Sequence, residues 1–319
     1  MSEHTAIRLE NLSKTFGRGE KAVQAVVNLN LEIQTGQIFG FLGPNGAGKT
    51  TTFRLLVDLI RPTKGAAFIY GQDVRRNPGV LRRVGALIED ATFYGYLNGR
   101  DNLEVLARTA GNYRPKRIEA LLEQVGLAGE ANRRVRSYST GMKQRLGIAG
   151  SLLGDPELMI LDEPTNGLDP GGRQEMRAFI RGLAKQEGVT VFLSSHLLHE
   201  VEQVCDRVAI INHGEIVREG VVSDLLAEGQ AQLRVQASPQ ESALQVLQET
   251  WEVSADGEWL IVSAQPEEGY LVVARLVTND IHVNQVIVRK RSLEEYFIDA
   301  TQEGVITKSI GGNKEDTHV

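Results

Sequence analysis

The stretch GPNGAGKTTTFRLL, Gly43 to Leu56, constrains the fold more than any other part of the chain. It follows the apolar run IFGFLG and leads into residues with helical spacing, so three glycines and a lysine sit between a strand and a helix. Gly43, Gly46 and Gly48 suit backbone that takes positive φ or passes close to a ligand. The N–H groups of such a loop, the positive end of the helix starting near Lys49 and the lysine charge together make an anion site. The order is Gly43, then Pro44, Asn45, Gly46 and Ala47, then Gly48, Lys49 and Thr50, with Thr51 next; this is the spacing of a phosphate-binding loop. In such a loop, Lys49 neutralises the β- and γ-phosphates of a nucleotide and the Thr50 hydroxyl ligates Mg²⁺. A chance match in a chain this long has a probability of about one in a hundred, which sets aside a plain glycine turn.

At 319 residues and 41% hydrophobic content, the chain can fill one large core and a smaller one. No run reaches the eighteen or so apolar residues of a membrane span, and the polar start MSEHTAIRLENLSK lacks the apolar core of a secretory signal. A cytosolic protein is expected, reaching any membrane through a partner. Cys205 is the single cysteine, which excludes an intrachain disulfide and a cysteine-rich zinc site; it is expected to be a small buried residue. The net charge of −6 is concentrated after Gln230, where fourteen acids face seven Lys and Arg. A broad basic footprint for nucleic acid is missing.

The segments IRLENLSKTFG and NLNLEIQTGQIFGFLG read as strands with a turn at Gly36, and a helix is expected from the phosphate loop through Leu59. AAFIYG and RRVGALIED are further strands. Between Tyr94 and Leu127 the period lengthens, so NGRDNLEVLARTA and RIEALLEQVGL form a helical insert. The apolar runs LMILDEP and VTVFLSSH alternate with helices. That pattern implies a mostly parallel sheet with ligands beyond the strands' carboxyl ends. After VAIINHGEIVREG, the segments AQLRVQA, ESALQVLQET, EWLIVSA, EGYLVVARLVT and IHVNQVIVRK read as β-α-β-α-β. The expected organisation is a nucleotide-binding domain over 1–225 with a helical subdomain at about 90–150, a small α+β domain over 230–300 and a flexible tail over 301–319.

Asp162 and Glu163 end the run LMILDE, and adjacent carboxylates at a strand end point different ways. Asp162 is therefore assigned to the metal, and Glu163 to polarising water for in-line attack on the γ-phosphate. In order along the chain stand the loop Gly43 to Thr50, YSTGM at Tyr138 to Met142, LMILDE, the GLD turn at Gly167 to Asp169, and His196 in SSH. Over about the first 220 residues the chain resembles the ATP-binding cassette ATPases of ABC transporters. The resemblance implies a P-loop NTPase cassette with a mixed or parallel α/β sheet and a helical insert. It also implies a head-to-tail dimer of cassettes in which ATP lies between the loop of one and Ser139 and Gly141 of the other. His196 would then hold the γ-phosphate and attacking water, Phe16 would stack on adenine, and Asp169 would communicate between sites. His4, His199, His213, His282 and His318 are assigned no role.

Two motifs depart from that family's pattern. Thr140 and Met142 replace residues usual in its signature, and Glu89 stands where its Q-loop has glutamine; as a carboxylate, Glu89 remains a candidate ligand for Mg²⁺ beside Thr50 and Asp162. These variants, FYGYLNGRDNL after Glu89 and the segment RSLEEYFIDAT resemble the cassette subunits of bacterial antibiotic-resistance and sodium-type exporters, bacitracin exporters among them. The implied function is an ATPase subunit, a homodimer or a heterodimer with a paralogue, powering a separate integral-membrane permease from the cytoplasmic face. Phe93, Tyr94, Tyr96 and Leu97 would form either the groove that grips a permease helix or packing between insert and sheet. The rival readings are a cassette ATPase acting on nucleic acid or ribosomes and a weakly hydrolysing, nucleotide-dependent regulator.

Overall fold

A computed structural model describes residues 5–89, 91–227 and 232–289. The chain divides into two compact units, Met1–Gly220 and Val221–Val319, the first ending a few residues before the expected 225. His4, His318, the RSLEEYFIDAT segment and the 301–319 tail lie outside the described residues.

In the first unit, β1 (Thr5–Phe16) and β2 (Val23–Gln34) pair antiparallel, and alternating residues such as Leu29, Leu31 and Ile33 are buried. Next come β3 (Ile38–Leu42), α1 (Lys49–Leu56), β4 (Lys64–Ile69), β5 (Gln72–Asp73) and β6 (Val84–Leu87). Helices α2 (Gly99–Thr109), α3 (Pro115–Gln124) and α4 (Thr140–Ser151) form the insert. β7 (Leu158–Leu161), α5 (Pro170–Glu187), β8 (Thr190–Ser195), α6 (Leu198–Val204), β9 (Arg207–Asn212) and β10 (Glu215–Val221) complete it. Two sheets result, one ordered β2-β1-β4-β5 and the other β10-β9-β3-β8-β7-β6.

Strands β3, β6, β7, β8 and β9 pair parallel, and every residue of β3, β7 and β8 is buried, as continuous apolar runs require when both faces are covered. Leu42 pairs with Ser195, and Leu161 with Leu193. That register brings the glycine loop, the Asp162–Glu163 pair and Ser194–His196 out along one edge of the sheet. The helix behind the loop is pinned from below: Phe53 of α1 meets Phe192 of β8 edge-on at 4.8 Å, and both are fully buried beside Phe41. Each such ring contributes roughly 1.5–3 kcal/mol by burial, so α1 has little freedom to slide.

α1 stops at Leu56 rather than Leu59. Asp58 adopts φ 55° and the Leu59 N–H bonds back to the Arg54 carbonyl, a left-handed helix ending that helical spacing alone does not reveal. Cys205 is buried and free, and burial pushes its thiol well above the usual range, leaving it protonated.

The second unit contains α7 (Val222–Ala227), β11 (Gln232–Ser238), α8 (Gln240–Gln248), β12 (Val253–Asp256), β13 (Trp259–Ser263), α9 (Gly269–Val277) and β14 (His282–Arg289). Its sheet is antiparallel and ordered β12-β13-β11-β14, so the pattern after α7 is β-α-β-β-α-β, the split βαβ arrangement. β12 is additional to the β-α-β-α-β that the apolar segments predict. That strand buries only Val253 and carries no alternation, yet the two-residue loop Gly257-Glu258, with Gly257 at φ 60°, is the hairpin signal that marks it. Leu233, Val235, Leu260, Val262, Val272 and Leu276 form this unit's own core.

Candidate active site

Gly48 precedes α1 with φ 108°, and a Cβ there would lie 2.4 Å from the Ala25 carbonyl oxygen. Gly46, at φ 81°, faces open space. The loop is thus pressed against β2 at one end and leaves room above the other, a cradle that suits a phosphate chain. Gly48→Ala is expected to cost about 1–3 kcal/mol in backbone strain and to lower the melting temperature of the first unit by several degrees. A melting curve like that of the unaltered protein would contradict this.

Lys49 is buried at 6% exposure, and its Nζ donates to the carbonyls of Gly43 at 2.6 Å and Pro44 at 3.3 Å. The same ammonium lies 3.3 Å from Glu163 Oε1. One residue on, Thr50 Oγ1 donates to Asp162 Oδ2 at 2.6 Å, while Asp162 Oδ1 accepts from Ser194 Oγ at 2.5 Å. Ser194 Oγ in turn accepts from the Glu163 N–H at 2.9 Å. Glu163 has φ 50°, a left-handed conformation costly for a side chain of this kind, and it turns its carboxylate away from that of Asp162. Its Oε2 lies 2.8 Å from His196 Nδ1. Two adjacent carboxylates thereby serve different neighbours, Asp162 the hydroxyls of Thr50 and Ser194, Glu163 the lysine and the histidine.

Lys49, Thr50, Asp162, Glu163 and His196 therefore converge. Glu89 does not join them: it is exposed, adopts φ 63° and forms an ion pair with Arg54, whose guanidinium holds the Glu89 carboxyl below the usual range. Ser139 caps α4, accepting from the Met142 N–H at 3.2 Å, and Asp169 caps α5, accepting from the Gly172 N–H at 3.3 Å. No hydrogen bond or ion pair among the described residues joins Ser139, Gly141 or Asp169 to the lysine cluster. A Cβ at Gly141 would lie 3.1 Å from the Leu168 side chain, so the start of α4 and the Gly167–Asp169 turn form one surface, with Ser139 and Asp169 exposed. Phe16 ends β1 with 42% exposure, and the Lys14 ammonium lies 4.9 Å from its ring centre. His199 and His213 make no contact with the cluster among the described hydrogen bonds.

Ser194 and Arg54 join the functional residues only in the folded chain. A serine at a strand end has no spacing signal, although its place in SSH, beside the acids across the β7–β8 register, puts it within reach. Behind the insert lies a cleft of about 870 Å³, lined by Leu87, Ala91, Phe93, Leu106 and Ser151 among others. Phe93 and Leu97 are half-buried, whereas Tyr94 and Tyr96 are exposed with ring centres 5.8 Å apart. Buried Asn102 of α2 holds this segment, accepting from the Tyr94 N–H at 2.9 Å and donating to its carbonyl at 3.2 Å. Among the described residues no helix is long and apolar enough to cross a membrane.

The ABC transporter family model matches residues 26–166. The bacitracin transport ATP-binding protein BcrA of Bacillus licheniformis is 41% identical over 308 residues, covering 95% of this chain and 99% of the relative. The lantibiotic transport ATP-binding protein SrtF of Streptococcus pyogenes is 41% identical over 213 residues, covering 67% of this chain and 90% of the relative. Among solved structures, a dimeric post-hydrolysis state of the ATP-binding cassette MJ0796 bound to ADP and Pi matches with TM-score 0.62 and 25% identity, over 68% of this chain and 98% of that one.

Proposed function

The chain belongs to the ABC transporter ATP-binding proteins, and on that premise we propose that it is the motor subunit of an exporter for an antibiotic or antimicrobial peptide, acting through a separate membrane permease. ATP binding and hydrolysis come with the family; the substrate class, the partner and the residue roles are the proposal. The observation that carries the roles is the divided carboxylate pair, Asp162 on Thr50 and Glu163 on Lys49 and His196.

In this reading the loop backbone and Lys49 bind the β- and γ-phosphates of ATP, and Phe16 offers its exposed ring to the adenine. The hydroxyl–carboxylate pair suits a small hard cation shared with substrate phosphates, so Thr50 and Asp162 would hold Mg²⁺, which when bound supplies Lewis-acid neutralisation of phosphate charge. Ser194 fixes one oxygen of Asp162 and so leaves the other for that task. Glu163 accepts the proton of the attacking water, and His196 orients that water and the γ-phosphate from the far side of the carboxylate. Glu89 stands outside the metal set in this arrangement and reports on the site through Arg54.

The exposed surface made by Ser139, Gly141 and Asp169 supports a second cassette docking head to tail, with the start of α4 presented to the partner's γ-phosphate. The cleft below Phe93 and the exposed pair Tyr94 and Tyr96 support the permease contact, since aromatic anchors beside a concave apolar wall are what an incoming helix packs on. ATP stabilises the closed pair through contacts made only there, and hydrolysis removes them. The protein would then sit at the cytoplasmic face of the membrane, held by the permease. Pull-down of Glu163→Gln with MgATP from detergent-solubilised native membranes tests this: a stoichiometric polytopic protein is expected. Recovery of ribosomal or DNA-associated proteins alone would overturn the exporter reading.

A further inference from the structure

Glu200 of α6 is a carboxylate outside the cluster described above, yet it is 3% exposed. A buried carboxylate is tolerated only where other groups compensate it. Its Oε2 accepts a hydrogen bond from Thr165 Oγ1, itself buried and two residues after Glu163. Its Oε1 is fully enclosed and accepts no hydrogen bond. The nearest cations to that oxygen are on α5: Arg173 Nη1 at 3.5 Å and Arg177 Nη1 at 3.9 Å. Arg173 is itself tied to the dimer-facing turn, because its Nε donates to the Leu168 carbonyl at 3.0 Å and its backbone N–H to the Asp169 carbonyl at 2.9 Å.

One side chain thus lies between three parts of the site. Glu200 stands on α6 four residues after His196, its partner Thr165 follows Glu163 by two residues, and its cation Arg173 grips the turn that ends at Asp169. The Thr165 side is made, whereas the arginine side stands just beyond hydrogen-bond reach. A shift of under about 1 Å in the Leu168–Asp169 turn would convert the 3.5 Å approach into a charge-assisted hydrogen bond of about 2.7–2.9 Å. Because an enclosed, unsatisfied carboxylate oxygen is costly, that bond is strongly favoured once geometry permits it.

We propose that Glu200 is a positioning residue that transmits the state of the Asp169 turn to His196: when the turn moves, Arg173 engages Glu200, and the Thr165–Glu200 contact holds α6 so that His196 stays against Glu163. The proposal rests on the roles given above to Glu163 and His196. It adds a path, internal to one cassette, by which occupation of the dimer surface sets the geometry of hydrolysis. Arg177, slightly farther away, keeps the carboxylate near a cation when Arg173 is disengaged.

Steady-state ATPase of the full chain tests it, with kcat and KM for ATP read separately and melting temperature alongside. Thr165→Val removes the contact to Glu200, Thr165→Ser keeps the hydroxyl, and Arg173→Ala removes the relay at a partly exposed position, with melting temperature reading the cost of leaving Glu200 without its nearer cation. Displacement of a catalytic group by about 1 Å costs up to about a hundred-fold, so a ten- to hundred-fold loss in kcat is expected for Thr165→Val and Arg173→Ala. KM should stay within about two-fold of the unaltered value, since the phosphate loop is untouched. Thr165→Ser should restore the rate. Should Thr165→Val fold poorly, Arg173→Ala decides alone. An unchanged kcat in Arg173→Ala, or equal losses with serine and valine at 165, would overturn the proposal. No turnover by the unaltered chain under any condition would instead overturn the hydrolytic roles on which it rests.

Discussion

Glu163→Gln is expected to lower ATP turnover by about two to four orders of magnitude, the range for removing a positioned general base. Glutamine preserves the size and planarity of the side chain, so the pocket between Lys49 and His196 remains filled. It lacks the negative charge that accepts the proton of water. Loss of that charge also removes the ion pair 3.3 Å from Lys49, freeing the ammonium for phosphate, so nucleotide affinity should be retained or slightly raised. Phosphate-release kinetics and titration with a fluorescent ATP analogue measure the two quantities separately. Turnover within a few-fold of the unaltered protein would remove Glu163 from the chemistry.

Lys49→Ala is expected to act on both quantities. The ammonium is buried and held by three oxygens, from Gly43, Pro44 and Glu163, so it is fixed at the floor of the loop. A charge-assisted contact of this kind is worth about 1.5–3 kcal/mol, or about ten- to a hundred-fold in nucleotide affinity. Turnover at saturating ATP should fall by a further hundred- to thousand-fold, because the charge developing on the phosphate oxygens loses a preorganised cation. The substitution also leaves Glu163 without its nearest cation, which would misplace the base. Calorimetric titration together with phosphate release checks both; affinity within about two-fold of the unaltered value would show that Lys49 does not face the phosphates.

Much of this site was legible because its parts are encoded by spacing. A glycine loop between an apolar strand and a helix specifies backbone, and backbone is what holds phosphates. Adjacent acids at a strand end must diverge, and Asp162 and Glu163 do. Contacts that depend on strand register were not legible: Ser194 reaches Asp162 and the Glu163 N–H only because β7 and β8 are neighbours in parallel register. The same holds for Glu200, which is one acid among many until α5 and α6 are packed together. Family position points Glu89 toward the metal, whereas Arg54, one turn along α1 from Thr50, pairs with it. In the fold, the buried parallel strands were plain from their apolar runs. β12, short and mostly exposed, lacked that signal, and the end of α1 was set by the left-handed turn at Asp58 rather than by apolar spacing.

The proposed site is completed by a second copy, Ser139 and Gly141 of one cassette facing the phosphate loop of the other. The mass of Glu163→Gln in solution, by light scattering with and without MgATP, tests it most directly. A mass near the 35.1 kDa of one chain without nucleotide, rising to twice that with MgATP and falling back when Ser139 is also replaced by a bulky residue, is the predicted result. A mass that MgATP leaves unchanged, in protein shown to bind it, would contradict the composite site.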